Sequence, residues 1–113
     1  MSKLIIILAV RQGAEPVVET IDSSLQTMQE FVGGYIQMVP ISYEPKNGRA
    51  LDLCCNEEAM FEKLPFNSFG ILGPFFFTAT DKNGAPSTLT AGEIEICKAR
   101  WQAEKLAKHP SMA

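Results

Sequence analysis

The feature that most constrains this 113-residue chain is the apolar run Leu4–Val10, which consists of leucine, alanine and β-branched residues. A membrane-spanning helix needs about 20 apolar residues, so this run is too short to cross a bilayer. Lys3 before the run gives a faint likeness to a signal peptide, but no small-x-small cleavage site follows. The run therefore predicts a β-strand that is buried on both faces.

The next segments predict a second strand and a short helix. Residues 17–21 are rich in β-branched side chains and predict a strand antiparallel to the first. Residues 22–24 offer helix N-cap side chains, and Ser23 with Gln26 has the spacing of a capping box. Gly33 suits the left-handed residue that ends a helix, so the predicted helix lies between these positions.

Residues 35–43 and 50–55 predict a hairpin of two further strands. The pair Asn47-Gly48 between them is the preferred sequence for a tight turn. Pro40 predicts a sheet edge or a bulge, because proline cannot donate to the strand ladder. A last strand is predicted over residues 71–80.

Three consecutive phenylalanines at positions 75–77 constrain this last strand. Successive strand residues point to opposite faces, so the three rings cannot share one face. Either both faces of the strand are covered, or one ring marks an interface.

Residues 90–109 predict a long C-terminal helix. Thr90 and Glu93 have capping-box spacing, and the helical period predicts one buried stripe of Ile94, Cys97 and Trp101. The chain is therefore predicted to be a single domain over residues 1–113, with its core in residues 3–80. The predicted fold class is α+β: a mostly antiparallel sheet of four to five strands, a short helix after strand two and a long C-terminal helix, with the helices packed on one face.

Charge and cysteine content exclude several classes of function. The net charge is −3, and residues 15–62 hold nine acidic residues against two basic ones, whereas a nucleic-acid-binding face needs clustered Lys and Arg. We therefore expect no binding of DNA or RNA, and no association with a membrane. Cys54, Cys55 and Cys97 form no CxxC pair and His109 is the only histidine, so neither a disulfide framework nor a zinc site is expected. The cysteines are interpreted as small apolar residues in a reducing cytoplasm, and no cofactor is predicted.

The sequence contains no pattern typical of nucleophilic catalysis. There is no Gly-x-Ser-x-Gly, and no histidine accompanies the cysteine pair, so we expect a protein that is not an enzyme. The adjacent carboxylates of Glu57 and Glu58 leave one alternative, a metal-dependent or nucleotide-cleaving enzyme. Solvated loop charges are the simpler interpretation of this pair.

A set of polar and aromatic residues beside the predicted strand ends forms a candidate ligand site. A tyrosine ring can stack on a base, and an asparagine amide offers both donors and an acceptor. Each residue also has a plainer interpretation: a helix cap and turn for the glycines, a half-buried strand position for the tyrosine, and turn caps for the asparagines. The candidate ligand-binding residues are Gly34, Tyr35, Asn56, Glu57 and Asn67, with Arg11 and Arg49 as donors to phosphate.

Three motifs carry a resemblance to a known family: Val32-Gly33-Gly34-Tyr35-Ile36, Asn56-Glu57-Glu58 and Leu64-Pro65-Phe66-Asn67. In this order they resemble a small uncharacterised domain of bacteriophages and mobile elements with the pattern VGGYIE, NEEG and LPxN. The resemblance covers about residues 3–80. Gln37 departs from the usual Glu and Ala59 from the usual Gly. The resemblance implies a phage or plasmid origin and expression in the bacterial cytoplasm, but it implies no reaction.

These observations lead to two hypotheses of function. The first is a small phage accessory protein that counters a host defence by binding and sequestering a nucleotide-derived signal molecule. The alternative is a protein–protein interaction module or enzyme inhibitor that acts through the acidic middle of the chain and the phenylalanine strand. We also predict a homo-oligomer, because the phenylalanine run and Trp101 offer more apolar surface than a small sheet readily buries.

Overall fold

The computed structural model describes residues 3–11, 14–57 and 73–108, with the backbone alone for residues 104–108. The described ranges confirm the predicted α+β class, with a short helix after the second strand and a long helix at the C-terminal end. The elements in chain order are β1 (Leu4–Val10), β2 (Val17–Asp22), α1 (Leu25–Val32), β3 (Ile36–Glu44), β4 (Arg49–Asn56), β5 (Phe75–Thr80), β6 (Pro86–Ser87) and α2 (Ala91–Lys108).

The strands form one antiparallel sheet in the order β2-β1-β5-β4-β3, and the short β6 pairs with β5. The predicted antiparallel pairing of the first two strands is confirmed, with Leu8 opposite Val18. Although β5 comes late in the sequence, it lies at the centre of the sheet. Its Phe77 is opposite Leu8 of β1 on one side and Leu53 of β4 on the other.

The strand β3 lies at one edge of the sheet, and its pairing with β4 shifts register between Pro40 and Ser42. Both features predicted from Pro40, an edge position and a bulge, are present. The hairpin turn closes at Gly48, whose φ of 69° lies in the left-handed region that favours glycine. Its N–H donates to the carbonyl of Glu44 at 2.9 Å.

The helix α1 begins after Ser24, the last of the three predicted N-cap candidates, and thus one residue later than the Ser23–Gln26 spacing indicates. Ser24 is the N-cap, and its Oγ accepts from the backbone N–H of Thr27 at 3.2 Å. The predicted capping box of Ser23 and Gln26 is therefore wrong. The Ser23 hydroxyl instead accepts from the backbone N–H of Lys3 at 3.0 Å, which ties the start of the helix to the start of β1.

The two helices cover opposite faces of the sheet, which corrects the prediction that both pack on one face. The three phenylalanines of β5 show this most directly, because Phe76 points towards α1 whereas Phe75 and Phe77 point towards α2. All three rings are buried, so both faces of the strand are covered. The cluster on the α1 side is Ile5, Ile7, Ala9, Met28, Val32, Cys54 and Phe76. The cluster on the α2 side is Leu8, Val10, Leu51, Leu53, Cys55, Phe75, Phe77, Ala79, Leu89 and Cys97, with Ile94 and Trp101 packed against it.

The first turn of α2 carries the predicted capping box. The Glu93 N–H donates to Thr90 Oγ1 at 3.2 Å, and the Thr90 N–H donates to Glu93 Oε1 at 2.9 Å. The same carboxylate forms an ion pair with Arg49 at the start of β4, with Nε and Oε2 2.6 Å apart. Neither helix in the described ranges is long and apolar enough to cross a bilayer.

The three cysteines are free thiols buried in the core clusters. Burial raises the pKa of Cys54 to about 12 and that of Cys55 to about 11, because a thiolate would lose its hydration there. Burial likewise raises the pKa of Cys97 to about 12. The interpretation of the cysteines as small apolar core residues is consistent with this placement.

Candidate functional site

The motif residues around positions 34 and 56 meet in a surface cleft of about 330 Å³. It lies where α1 ends, where β3 begins and where β4 ends. The β3–β4 register places Ile36 opposite Asn56, which brings two segments about twenty residues apart in sequence side by side. The residues lining the cleft are Gln29, Gly33, Gly34, Tyr35, Asn56 and Glu57.

The two glycines at the end of α1 are required for different reasons. Gly33 has a φ of 81° and forms the left-handed C-cap predicted from the sequence. Gly34 instead leaves space, because a Cβ atom there would lie 2.8 Å from Nδ2 of Asn56. The N–H groups of both glycines donate to the carbonyl of Gln29, at 2.9 and 3.0 Å. The chain therefore turns sharply against the side chain of Asn56.

Two further hydrogen bonds connect the end of β4 to this turn. Asn56 Nδ2 donates to the carbonyl of Val32 at 3.2 Å, which satisfies one of the carbonyls that a helix end leaves without a partner in the helix. The Glu57 N–H donates to the carbonyl of Tyr35 at 2.9 Å. The asparagine is thus a helix-end partner, as its capping interpretation predicts, and it also lines the cleft, whereas its role in ligand binding stays a prediction.

The rim of the cleft is aromatic and acidic. Tyr35 is 71% exposed, so its interpretation as a half-buried strand residue is wrong. Glu57 is exposed beside it. The C-terminal end of α1 adds partial negative charge, and no Lys or Arg is among the described lining residues. The described part of the cleft therefore has a negative electrostatic character.

Arg11, predicted as a phosphate donor, lies on the other flank of α1. Its guanidinium forms a two-pronged ion pair with Glu19 and lies 4.9 Å from the ring centroid of Phe31. Hydrogen bonding to Arg11 lowers the pKa of the Glu19 carboxyl and raises the pKa of Arg11. Phe31 and the cleft residue Gln29 are two positions apart, or about 200° around the helix axis. The helix therefore separates this arginine from the cleft.

Arg49, the second predicted phosphate donor, lies at the opposite end of β4 from Asn56. It donates to both carboxylate oxygens of Glu93, to Ser87 Oγ at 3.2 Å and to the carbonyl of Thr88. This hydrogen bonding lowers the pKa of Glu93 and raises that of Arg49. Arg49 thus joins β4 to β6 and α2.

The structure brings together Gly34, Tyr35, Asn56 and Glu57 of the predicted site, and it places Arg11 and Arg49 elsewhere. Asn67 and Glu58 lie outside the described residues. The sequence reasoning did not include Gln29, which lies four positions before Gly33 and so on the same flank of the helix. That spacing from the C-cap glycine is a signal that could have identified it.

A second cleft, of about 470 Å³, lies between the segment before β2 and α2. Its lining residues are Glu15, Pro16, Glu95, Lys98, Ala99, Trp101 and Gln102. Within the described ranges, no group of three or more His, Cys, Asp or Glu side chains could hold a metal ion.

The fold and the first cleft define a small α+β domain with a sheet covered on both faces and an open polar cleft at one end. The chain belongs to the family described as Domain of unknown function (DUF3846), which matches residues 3–102. The match extends past the resemblance noted over residues 3–80 and includes most of α2. Membership of an uncharacterised domain family is thereby confirmed, whereas a phage or plasmid origin stays a prediction. No curated protein and no solved structure matches the chain.

Proposed function

We propose that this chain is a non-enzymatic protein of phages or mobile elements that binds and sequesters a small nucleotide-derived signal in the bacterial cytoplasm, and so counters a host defence. The observation that supports this most is the cleft itself. It unites Tyr35 with Asn56 and Glu57, which come from segments that are distant in sequence.

Within the cleft, the exposed tyrosine is the main source of affinity for a ligand. A ring that is 71% exposed at the rim of a cleft leaves apolar area in water, which stacking on a ligand ring would cover. Base–aromatic stacking contributes about 1–3 kcal/mol for each base. Tyr35 would therefore provide affinity, and the amide and carboxylate beside it would provide selectivity.

The size of the cleft favours a compact ligand or one part of a larger ligand. Small-molecule pockets span about 300–1,000 Å³, and the described cleft, at about 330 Å³, is near the lower limit. A single nucleoside unit is suited to this volume better than a whole dinucleotide. The rest of a larger signal molecule would then extend into solvent.

Native mass spectrometry of the chain purified from a bacterial host tests the proposal directly. A retained mass of a few hundred daltons on each chain is the expected result. Thermal denaturation with a panel of linear and cyclic nucleotides should also raise the Tm, since a ligand at a hundredfold excess over its Kd adds about 2.7 kcal/mol of stability.

A pair of tyrosine variants makes this test specific. Tyr35→Ala should abolish the Tm increase, whereas Tyr43→Ala should retain it, because Tyr43 is similarly exposed at the other end of β3. An unchanged Tm across the whole nucleotide panel would contradict the proposal.

A second candidate function is a protein–protein interaction module, favoured by an apolar patch on the α2 side of the sheet. Leu4 and Ile6 lie on the same face of β1 as Leu8, and Val18 of β2 is opposite Leu8. Leu4 is 70% exposed and Val18 is 47% exposed. The patch differs from the surface predicted from the sequence, because the three phenylalanines are buried. The homo-oligomer predicted from that run and Trp101 stays a prediction, and this patch supports it.

Light scattering with a charge variant tests this second candidate. If the patch is an interface between copies, the wild type should have a multiple of the 12.4 kDa chain mass and Val18→Asp should reduce it to the single chain mass. A strictly monomeric wild type that also captures no stoichiometric partner from a bacterial lysate would contradict it.

A further inference from the structure

Three backbone N–H groups at the cleft are already engaged within the chain. The N–H groups of Gly33 and Gly34 both donate to the carbonyl of Gln29, and the Glu57 N–H donates to the carbonyl of Tyr35. Successive glycine amides can cradle a phosphate when they point outward, as in phosphate-binding loops. Here they close the end of a helix instead, so they are not available to an anion.

The electrostatic field in the cleft also disfavours an anion. The cleft lies at the C-terminal end of α1, which carries partial negative charge, whereas phosphates bind at helix N-termini. The Glu57 carboxylate is exposed at the rim. The two arginines predicted from the sequence form ion pairs with Glu19 and Glu93 outside the cleft. The described lining therefore suits a ligand that donates hydrogen bonds.

We infer that the cleft recognises the base of a guanine nucleotide and not its phosphates, an inference that rests on the proposed function. Guanine presents two parallel donors on one edge, N1–H and an N2 amino hydrogen. These match the two oxygens of the Glu57 carboxylate, which can accept a bidentate pair of hydrogen bonds. Tyr35 stacks on the purine ring, and the phosphates extend into solvent.

The same geometry discriminates against the other purines. Hypoxanthine has N1–H but lacks the second donor. Adenine has an acceptor at N1, which would face a carboxylate oxygen and repel it. A bidentate pair to a base contributes about 1–3 kcal/mol of discrimination, so GMP should bind about 5- to 150-fold more tightly than IMP or AMP.

Calorimetric titration of the full chain with GMP, IMP, AMP and inorganic pyrophosphate tests this inference. GMP should bind most tightly, and pyrophosphate should neither bind nor compete with GMP. Glu57→Gln should remove the preference for GMP, since an amide offers only one acceptor oxygen. The matched control is Glu44→Gln, an exposed glutamate at the opposite end of β3, which should retain the preference.

The outcomes separate this inference from the proposal on which it rests. Equal affinity for the three nucleotides, or competition by pyrophosphate, would overturn the inference and leave sequestration of a nucleotide standing. A GMP preference that survives Glu57→Gln, in a variant with the wild-type Tm, would also overturn it. A chain that binds none of the three nucleotides and retains no nucleotide from its host would overturn both.

Discussion

Gly34 and Asn56 fit one another so closely that a Cβ atom on the glycine would lie 2.8 Å from the asparagine Nδ2. That nitrogen donates to the carbonyl of Val32, so the asparagine cannot move away without losing a hydrogen bond. Gly34→Ala should therefore lower the free energy of unfolding by about 1 kcal/mol, the usual net value of one hydrogen bond. Urea denaturation measures this loss, and nucleotide affinity should fall with it.

A double-mutant cycle makes this prediction specific to the pair. In an Asn56→Ala background the steric clash with the Asn56 side chain disappears, so Gly34→Ala should lower the free energy of unfolding much less there than in the wild type. Equal costs in both backgrounds would show that the glycine is required for its backbone conformation and not for the space it leaves.

The ion pair of Arg49 and Glu93 predicts a loss of stability in acid. Hydrogen bonding to Arg49 lowers the pKa of Glu93 below its ordinary value of 4.5, so the unfolded chain binds this proton more tightly than the folded chain. The ion pair's contribution to the free energy of unfolding is present in full above pH 4.5, and it is lost as the pH falls through the lower pKa of the folded chain. Glu93→Gln should cost about 2 kcal/mol at pH 7, since it replaces a charged, partly buried partner.

Denaturation at several pH values checks this prediction. The difference in stability between wild type and Glu93→Gln should shrink as the pH falls below 4.5. Glu95→Gln is the matched control, because Glu95 is exposed on the same helix and forms only a 3.7 Å ion pair with Lys98. It should change stability by less than about 0.5 kcal/mol. A pH-independent difference for the Glu93 variant would contradict the assignment.

The buried cysteines should resist thiol reagents in the folded protein. The pKa values of Cys54 and Cys97 are raised to about 12 and that of Cys55 to about 11, so almost no thiolate exists at pH 8. A chromogenic disulfide reagent should react slowly with the native chain and rapidly with all three thiols in guanidinium chloride. A fast native phase would show that one thiol is accessible.

The same thiols predict a loss of stability in alkali. Their ordinary pKa is 9.0, so deprotonation favours the unfolded chain once the pH rises above 9. Cys97→Ala should reduce this alkaline loss while costing stability at neutral pH through the cavity it leaves. Denaturation at pH 7 and pH 10 measures both effects.

Arg11→Ala should weaken the fold slightly without weakening nucleotide binding. The arginine lies over Phe31 and pairs with Glu19, and such exposed contacts are worth about 1 kcal/mol together. Because α1 lies between this arginine and the cleft, GMP affinity should stay within about twofold of the wild type. A tenfold loss of affinity would place Arg11 at the ligand.

More of the fold than of the candidate site could be predicted from the sequence. The phenylalanines at 75–77 allowed a strand covered on two faces, and the structure confirms this, since all three rings are buried. The run Leu4–Val10 was predicted to be buried on both faces, which holds for residues 7–10 but not for Leu4 and Ile6, whose side chains are exposed on the α2 side. The prediction of helices on one face was wrong because a strand pattern reports the burial of its own residues but not which element covers them. The central position of β5 depends on pairings between distant segments, which no local pattern encodes.

In the candidate site, too, features set by a local pattern could be predicted, whereas contacts between segments distant in sequence could not. The conformation of Gly33 follows from its position after a helical pattern. Glycine is required at position 34 because the side chain of Asn56, from the neighbouring strand, leaves no space for a Cβ atom. The charges of Arg11 and Arg49 suggested phosphate donors. Sequence alone could not show that each arginine forms an ion pair with a carboxylate of the same chain.

The central place of β5 also sets the order in which the chain can fold. In the described part of the sheet no ladder pairs β1 with β4, and β5 lies between them, with Phe77 opposite Leu8 on one side and Leu53 on the other. A nascent chain that has emerged only as far as Glu57 can form two separate hairpins but not this sheet. Assembly must wait for residues 75–80, and α2 comes later still, so until then the apolar α2-side faces of both hairpins remain exposed to other chains and to chaperones.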